Sequence, residues 1–237
     1  MPVSRETVAA TARRFPLPDP ETATSELYAL LEALAAEPDP PTTVRDPAQA
    51  LDVHVADSLA ALAVSALQTA TRIADLGAGA GFPGLVLAIA LPDATVDLIE
   101  ATRRKCEVID RLAAAADTAD RVRAVPARAE DWARENRGAY DVVTARALAP
   151  LAVICEYAAP LLRIGGTLIA WKGARDPEEE EAGRRAADLL GLGRAEILPV
   201  IPFAGSHSRH LHVYSKVTET PSKFPRRNGA AAKKPLA

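Results

Sequence analysis

The chain has 237 residues, of which 49% are hydrophobic and 25% charged, and its formal net charge is −3. This composition is typical of one globular domain with an appendage and excludes a mainly disordered chain. No apolar run has the length of a secretory signal or a membrane span, so we expect a cytoplasmic protein without a membrane partner. The two cysteines, Cys106 and Cys155, lie apart from metal-ligating neighbours, which favours buried reduced thiols.

The N-terminal region carries an acidic excess and a helical pattern. Apolar residues recur at helical spacing over residues 22–36 and 51–67. The intervening EPDPPTTVRDP contains four prolines, which cannot continue a helix. We therefore predict a helical N-terminal extension over residues 1–70.

The pattern changes at Arg72, where predicted strands and helices begin to alternate. The predicted strands are RIADL, TVDLIE, RVRAV, YDVVTAR, TLIAWKG, AEILPVI and RHLHVYSK. Helices are expected near 104–115, 130–135 and 151–162, with a turn over 163–166, and the acidic run DPEEEEAGRRAADLL is expected to form a solvated helix. Residues 71–217 thus predict an α/β fold with a mostly parallel seven-stranded sheet and an antiparallel edge strand.

A glycine-rich loop, ADLGAGAGFPG, follows the first predicted strand. A phosphate-binding P-loop is excluded because no Gly-Lys-Ser/Thr follows. Counted from Gly79, the loop matches the dinucleotide fingerprint, with Glu100 about twenty residues further on. The strand ends near Leu76, however, so the first tight turn falls at Gly77, and the sixth position is then Phe82 where helix packing requires glycine. The dinucleotide interpretation therefore fits this loop less well, and a methyl donor is the third candidate ligand.

The loop resembles the first motif of class I S-adenosylmethionine (SAM)-dependent methyltransferases. Six segments in order resemble the RsmG (GidB) family over roughly residues 45–237: HVADSL, GAGAGFPG, ARAED, TARAL, WKG and SRHLHVYSK. The resemblance implies a Rossmann-like fold, SAM as cofactor, and methylation of N7 of a guanosine in the 530-loop region of 16S ribosomal RNA. The partner would be 16S rRNA or the small ribosomal subunit, and a monomer is expected. Two departures are Val53, where the family carries Arg before the His, and the proline-rich segment 38–47.

The resemblance and the strand ends together assign candidate site residues. Cofactor contacts are expected from the glycine loop, from a ribose-binding carboxylate and from an adenine-side pair: Asp75, Gly77, Gly79, Gly81, Phe82, Glu100, Ala101, Ala129, Glu130 and Arg146. Arg146 and Lys172 end neighbouring strands, so both are expected to face the acceptor guanine as the catalytic pair. His207, His210 and His212 lack an acidic or cysteine partner nearby in sequence, so no metal is expected.

The C-terminal residues 218–237 are predicted to form a basic tail. From Lys216 onward the sequence has six basic residues and one acid, which suggests a polyanion partner. Predicted RNA contacts are His54, Arg209, Lys223, Arg226 and Arg227. Deletion of residues 221–237 is expected to lower RNA affinity and its salt dependence and to leave cofactor affinity intact. Two alternatives remain: a SAM-dependent methyltransferase for small molecules, and an RNA-binding assembly factor with a vestigial cofactor pocket.

Overall fold

A seven-stranded sheet forms the centre of the computed structural model, which describes residues 3–44 and 46–236. The strands are β1 (Arg72–Leu76), β2 (Thr95–Ile99), β3 (Val122–Val125), β4 (Tyr140–Arg146), β5 (Leu162–Lys172), β6 (Glu196–Val200) and β7 (Arg209–Ser215). The α-helices are α1 (Arg5–Ala12), α2 (Pro20–Ala36), α3 (Pro47–Ala50), α4 (Asp57–Leu59), α5 (Ser65–Gln68), α6 (Gly84–Ala90), α7 (Arg103–Ala115), α8 (Ala129–Glu135), α9 (Leu151–Ala158), α10 (Pro177–Leu190) and α11 (Ala230–Lys233).

The strand order is β3-β2-β1-β4-β5-β7-β6, and β1 to β5 are parallel. β7 runs antiparallel to both β5 and β6, which confirms the predicted α/β fold and the predicted antiparallel pair. β7 lies inside that pair, next to β5, so β6 forms the outer edge. The chain builds the sheet outward on both sides of β1, and the carboxyl ends of β1 and β4 therefore flank the crevice where open α/β folds bind ligands.

Two predicted helices differ from the structure. The helix predicted over 51–67 is a series of short segments: a π-helix at Leu51–Ala56, then α4, a 3₁₀-helix at Ala60–Ala63, and α5. The helix predicted to reach Leu162 ends at Ala158, because Pro160 has no N–H to continue it. The predicted turn over 163–166 belongs to β5, which starts at Leu162 with an irregular register against β4.

Two hydrophobic clusters cover the two faces of the sheet. One joins the N-terminal helices to α6 and α7 and includes the buried Leu27, Leu30 and Leu31 of α2. Each such leucine contributes about 1.5 to 3 kcal/mol through burial. The other cluster lies under α9 and α10 and includes Phe224 and Ala231 from the C-terminal region. Residues 218–236, hereafter the C-terminal segment, therefore pack on the domain.

Among the described residues, no helix is both long enough and apolar enough to cross a membrane. Cys106 and Cys155 are free and buried, as expected.

Candidate active site

The glycine loop after β1 turns sharply at three positions. Gly77, Gly79 and Gly81 have φ angles of 68°, 60° and 95°, in the left-handed region that disfavours other residues. A Cβ atom on Gly77 would lie 2.5 Å from Leu148 Cδ1, whereas one on Gly79 would meet only Gly77 O at 3.9 Å. Gly77 thus allows Leu148, which follows β4, to pack closely against the loop. Gly79 leaves space above its backbone for a ligand.

Asp75 lies beneath this loop, outside the residues that line its cavities. Its side chain accepts hydrogen bonds from Gly84 N at 3.0 Å and Thr144 Oγ1 at 2.8 Å. Complete burial raises the pKa of Asp75 to about 6, against the lowering effect of those bonds. The predicted direct cofactor contact is therefore replaced by a supporting role, in which Asp75 fixes the loop to the start of α6.

Glu100 follows β2 and faces the loop. Its Oε2 accepts from Gly79 N at 3.1 Å and its Oε1 from Thr102 N at 2.9 Å, and the residue is 7% exposed. Each carboxylate oxygen has a second lone pair, so the side chain can accept further hydrogen bonds. Glu100 is thus a preoriented acceptor for a ligand with two adjacent hydroxyl groups.

Two cavities meet at Glu100. The first, of about 350 Å³, is lined by Pro41, Thr42, His54, Gly77, Ala78, Gly79, Ala80, Phe82, Glu100, Lys105, Arg146, Ala147 and Leu148. The second, of about 220 Å³, is lined by Gly77, Ile99, Glu100, Ala101, Ala127, Arg128, Ala129, Glu130, Leu148, Ala149, Val153, Tyr157 and Ala232. They share three residues, so together they form a continuous cleft of the size that small-molecule ligands occupy. Larger open space lies between α1 and α2, far from the strand ends.

His54 forms one wall of the first cavity. Its ring stacks on Phe82 with centroids 4.4 Å apart and an interplanar angle of 7°. Arg146 can only donate, so the 3.3 Å contact from its Nη2 makes His54 Nδ1 an acceptor, and Nε2–H donates to Thr42 Oγ1 at 3.0 Å. Burial, helped by the Arg146 charge, lowers the pKa of His54 to about 4. The ring is therefore neutral at pH 7, and its burial does not suit the predicted RNA contact.

Arg146, at the end of β4, is the fixed positive charge of the first cavity. Its Nη1 donates to Val53 O at 2.8 Å and to Asp57 Oδ2 at 3.0 Å. Asp57 is 1% exposed, and its Oδ1 makes no hydrogen bond but lies 3.7 Å from Arg209 Nε. This buried carboxylate holds Arg146 in place. Nη1 is engaged by Asp57 and Val53 and Nη2 contacts His54, so among the described contacts the Nε–H and the second N–H of Nη2 are the donors left for a ligand.

The two departures from the family pattern have local explanations. Arg146 contacts only the backbone oxygen of Val53, so this bond does not depend on the side chain at that position. The proline-rich segment supplies Thr42, which orients the ring of His54. Sequence reasoning missed Thr42 and Asp57 as site residues, although Asp57 lies three residues after His54 within HVADSL, at helical spacing.

The second cavity contains the predicted adenine-side residues. Ala101, Ala129 and Glu130 line it together with Tyr157 of α9. Glu130 is 3% exposed and accepts from Gly229 N of the C-terminal segment at 2.7 Å. The walls are mostly apolar, and their charged residues are Glu100, Arg128 and Glu130, an environment suited to a flat ring with a polar edge.

Lys172 does not join Arg146, contrary to the predicted pair. Arg146 is in register with Trp171, whose Nε1 donates to Asp57 O on the same face of the sheet. Successive side chains of a strand point to opposite faces, so Lys172 faces α10 and forms an ion pair with Glu179 at 2.6 Å. Lys172 lines neither cavity. The acidic helix is thus not purely solvated, since Glu179 also accepts from Leu151 N.

The remaining predicted RNA contacts differ in how available they are. The side chain of Arg209 is 37% exposed, and Lys223 and Arg227 are exposed. Arg226 forms an ion pair with the buried Glu156 at 2.6 Å. Its side chain would have to break this ion pair to contact a phosphate. Within residues 3–44 and 46–236, no group of three or more histidine, cysteine or acidic side chains could hold a metal ion.

Comparison with known proteins identifies relatives of this chain. The family model described as rRNA small subunit methyltransferase G (GidB) matches residues 31–211. Two proteins named ribosomal RNA small subunit methyltransferase G are each 42% identical to this chain. The match to the protein from Rubrobacter xylanophilus covers 81% of this chain and 75% of that protein. The match to the protein from Chloroflexus aggregans covers 82% of each. A solved SAM-dependent O-methyltransferase from Thermotoga maritima, 15% identical, has the same fold, with a TM-score of 0.57 over 81% of this chain and 72% of that one.

Proposed function

The chain belongs to the GidB family of small-subunit rRNA methyltransferases, and we propose that it methylates N7 of a guanosine in the 530-loop region of 16S rRNA. It is a SAM-dependent methyltransferase with the Rossmann-like class I fold. The cofactor class and the fold follow from the family. The acceptor base, its position in the RNA and the roles of individual residues are the content of the proposal.

The observation that carries the proposal is the position of Glu100 where the two cavities meet. SAM has an adenine at one end, a methionine moiety at the other, and a ribose with two adjacent hydroxyls between them. Glu100 is buried, oriented by two backbone N–H groups, and retains free lone pairs for these hydroxyls. Gly79 has no side chain, so the space above its backbone stays open for a ligand. The residues present therefore fit the cofactor.

In this assignment, the adenine occupies the second cavity beside Ala101, Ala129 and Glu130, and the methionine end occupies the first. Arg146 offers the fixed cation that a carboxylate of an amino acid requires. Phe82 and His54 form a stacked apolar wall beside it.

The chemistry of the acceptor explains what the site contains. SAM supplies a methyl group on a positively charged sulfur. Guanine N7 has an in-plane lone pair and loses no proton when it is alkylated, so the protein needs no general base. Its contribution is to orient the base and exclude water, and this can lower the barrier by several kcal/mol. The lowered pKa of His54, whose Nδ1 lone pair faces Arg146, and the burial of Asp57 agree with this requirement, since neither group is arranged to remove a proton from a bound base.

Recognition of guanine is assigned to Arg146. Guanine presents O6 next to N7, so a donor directed at O6 holds the base and leaves N7 free to react. Arg209, Lys223 and Arg227 are assigned to phosphates, because their exposed positive charges can position RNA without selecting a base.

The decisive experiment maps N7-methylguanosine in 16S rRNA by mass spectrometry, in cells with and without this protein. Loss of one methyl group from the 530-loop region in its absence, restored by the purified protein and SAM, supports the proposal. Incubating naked rRNA and small subunits separately identifies the preferred form of the acceptor. Unchanged rRNA, together with turnover of a small acceptor, would replace the proposal with a small-molecule methyltransferase. Binding of RNA without any methyl transfer would indicate an assembly factor.

A further inference from the structure

The C-terminal segment enters the domain through buried contacts rather than as a free basic tail. Arg137 donates from Nη1 to Phe224 O and from Nη2 to Thr220 O, and both distances are 2.6 Å. The side chains of Phe224 and Ala231 are 5% and 1% exposed and belong to the same core cluster as α9. The path of the segment is therefore fixed at both its beginning and its end.

Arg226 is the central anchor of this segment. Glu156 of α9 is 1% exposed, and its carboxylate accepts from the backbone N and the Nε of Arg226, both at 2.9 Å, and from Nη2 at 2.6 Å. A buried carboxylate without such a partner is strongly unfavourable. The pair therefore keeps the segment against α9, beside the second cavity.

Beyond this anchor the chain reaches the cavity itself. Gly229, at a φ of 75°, turns the backbone and donates its N–H to Glu130 Oε1. The short helix α11 follows, and Ala232 on it lines the cavity opposite the apolar residues of the domain. Ala232 is exposed and lines the cavity with a small side chain, so we expect a larger side chain at this position to reduce the space of the cavity.

We propose that the C-terminal segment forms one wall of the SAM site, with Ala232 against the adenine, Gly229 holding Glu130, and the Arg226–Glu156 pair positioning both. This inference rests on the assignment of adenine to the second cavity. It replaces the expectation that removal of the tail leaves cofactor affinity intact. Arg226 is bound to Glu156, so part of the positive charge counted in the sequence serves docking instead of RNA binding.

The test is calorimetric titration of SAM into four full-length proteins without RNA: the wild type, Ala232→Leu, Arg226→Ala and Lys233→Ala. We expect Ala232→Leu to raise the Kd of SAM at least tenfold, because the leucine occupies space needed by the adenine. Arg226→Ala is expected to raise it at least fivefold by releasing the segment. Lys233→Ala is the matched control, since it removes a positive charge from the exposed neighbour of Ala232, and its Kd should stay within twofold of the wild type.

A thermal unfolding readout separates a cofactor contact from a purely structural role. Without SAM, Ala232→Leu should unfold at the wild-type temperature, whereas the increase in Tm caused by SAM should be much smaller. If Arg226→Ala fails to fold because Glu156 is left unpaired, Ala232→Leu decides the question alone. Wild-type affinity in Ala232→Leu would overturn the proposal. Because no RNA is present, this result is independent of whether the proposed guanosine is methylated.

Discussion

At the Arg146 end of the cleft, a guanidinium is held between a buried carboxylate and a neutral imidazole ring, whereas the Glu130 end is enclosed by a segment from the far end of the chain. The first end is built by the N-terminal extension, which supplies Thr42, His54 and Asp57. The second is built by α9 and the C-terminal segment. The N-terminal extension and the C-terminal segment lie outside the alternating β and α elements that form the sheet, whereas Arg146 and α9 belong to those elements.

The two ends of the cleft differ in how substitutions should affect stability, chemistry and cofactor affinity. At the Arg146 end, polar groups depend on one another, so a substitution there should affect stability and chemistry together. At the Glu130 end, the walls are mostly apolar, and the anchoring residue Arg226 does not line the cavity. Substitutions of the residues that line it should therefore change cofactor affinity more than they change stability. In the proposed assignment, the fold core thus carries two added regions, one beside the reacting groups and one beside the adenine of the cofactor.

The largest effect is expected for Arg146→Ala. Losing the guanidinium should lower single-turnover methylation of the rRNA by roughly ten- to a hundredfold, about 1.4 to 2.7 kcal/mol of transition-state stabilisation. It should also reduce the free energy of unfolding by up to about 3 to 5 kcal/mol, because the buried Asp57 would lose its hydrogen-bonded ion-pair partner and keep only Arg209 at 3.7 Å. Quench-flow methylation at saturating SAM and urea unfolding measure the two effects.

A double variant distinguishes these contributions. Adding Asp57→Asn to Arg146→Ala removes the stranded charge, so much of the stability should return while methylation stays low. If the double variant recovered wild-type rates, the role of Arg146 would be structural and the acceptor contact would lie elsewhere.

His54 gives the Arg146 end a specific pH dependence. Its pKa in the folded protein is about 4, below its ordinary value of 6.5, so the unfolded chain binds a proton that the folded protein does not. Stability should therefore fall as the pH falls from 6.5 to 4, by up to about 3 kcal/mol at the lower limit. Asp75 acts in the opposite direction, since its pKa is raised to about 6 and the folded protein gains a proton in the same range.

Comparison with His54→Gln isolates the histidine, because Asp75 is present in both proteins. Unfolding free energies measured in urea at several pH values between 7 and 4.5 should fall less steeply for the variant. Parallel curves for the two proteins would mean that His54 takes up a proton in the folded state as readily as in the unfolded chain, and that its ring is not held as an acceptor for Arg146.

Glu100 tests the point where the two ends meet. Glu100→Ala should weaken SAM binding more than tenfold, because two ribose hydroxyls lose an ionised acceptor, at about 1.5 to 3 kcal/mol. Calorimetric titration measures the Kd, and Glu107→Ala, an exposed glutamate on the following helix, is the control. An unchanged Kd in Glu100→Ala would remove this carboxylate from the cofactor site and with it the observation on which the proposed function rests.

The sequence predicted the sheet and the glycine loop because both depend on local patterns. Alternating strands and helices, the position of Gly77 after β1 and the spacing to Glu100 are visible along the chain. The prediction of Arg146 at a strand end near the cleft also agrees with the structure, whereas its acceptor role stays a prediction. These features need no knowledge of contacts between distant residues.

What the sequence could not provide are the contacts that join distant segments. The pairing of Arg226 with Glu156 spans 70 residues, and that of Gly229 with Glu130 spans 99, so a basic residue in the tail could not be distinguished from an anchor. The broken helix after residue 51 depends on the hydroxyl of Ser58 bonding to His54 O, which competes with regular helical hydrogen bonds.

Lys172→Ala is expected to have the smallest effect, because the predicted placement of Lys172 beside Arg146 was wrong by a simple rule of strand geometry. It follows Trp171 and therefore lies on the opposite face of the sheet from Arg146, paired with Glu179. Both side chains are about one fifth exposed, so losing the pair should cost at most about 1 kcal/mol of stability. Lys172→Ala should methylate rRNA within threefold of the wild-type single-turnover rate, since the residue lines neither cavity. A loss comparable to that of Arg146→Ala would show that Lys172 reaches the acceptor after all, and would extend the reacting end of the cleft across the edge of the sheet.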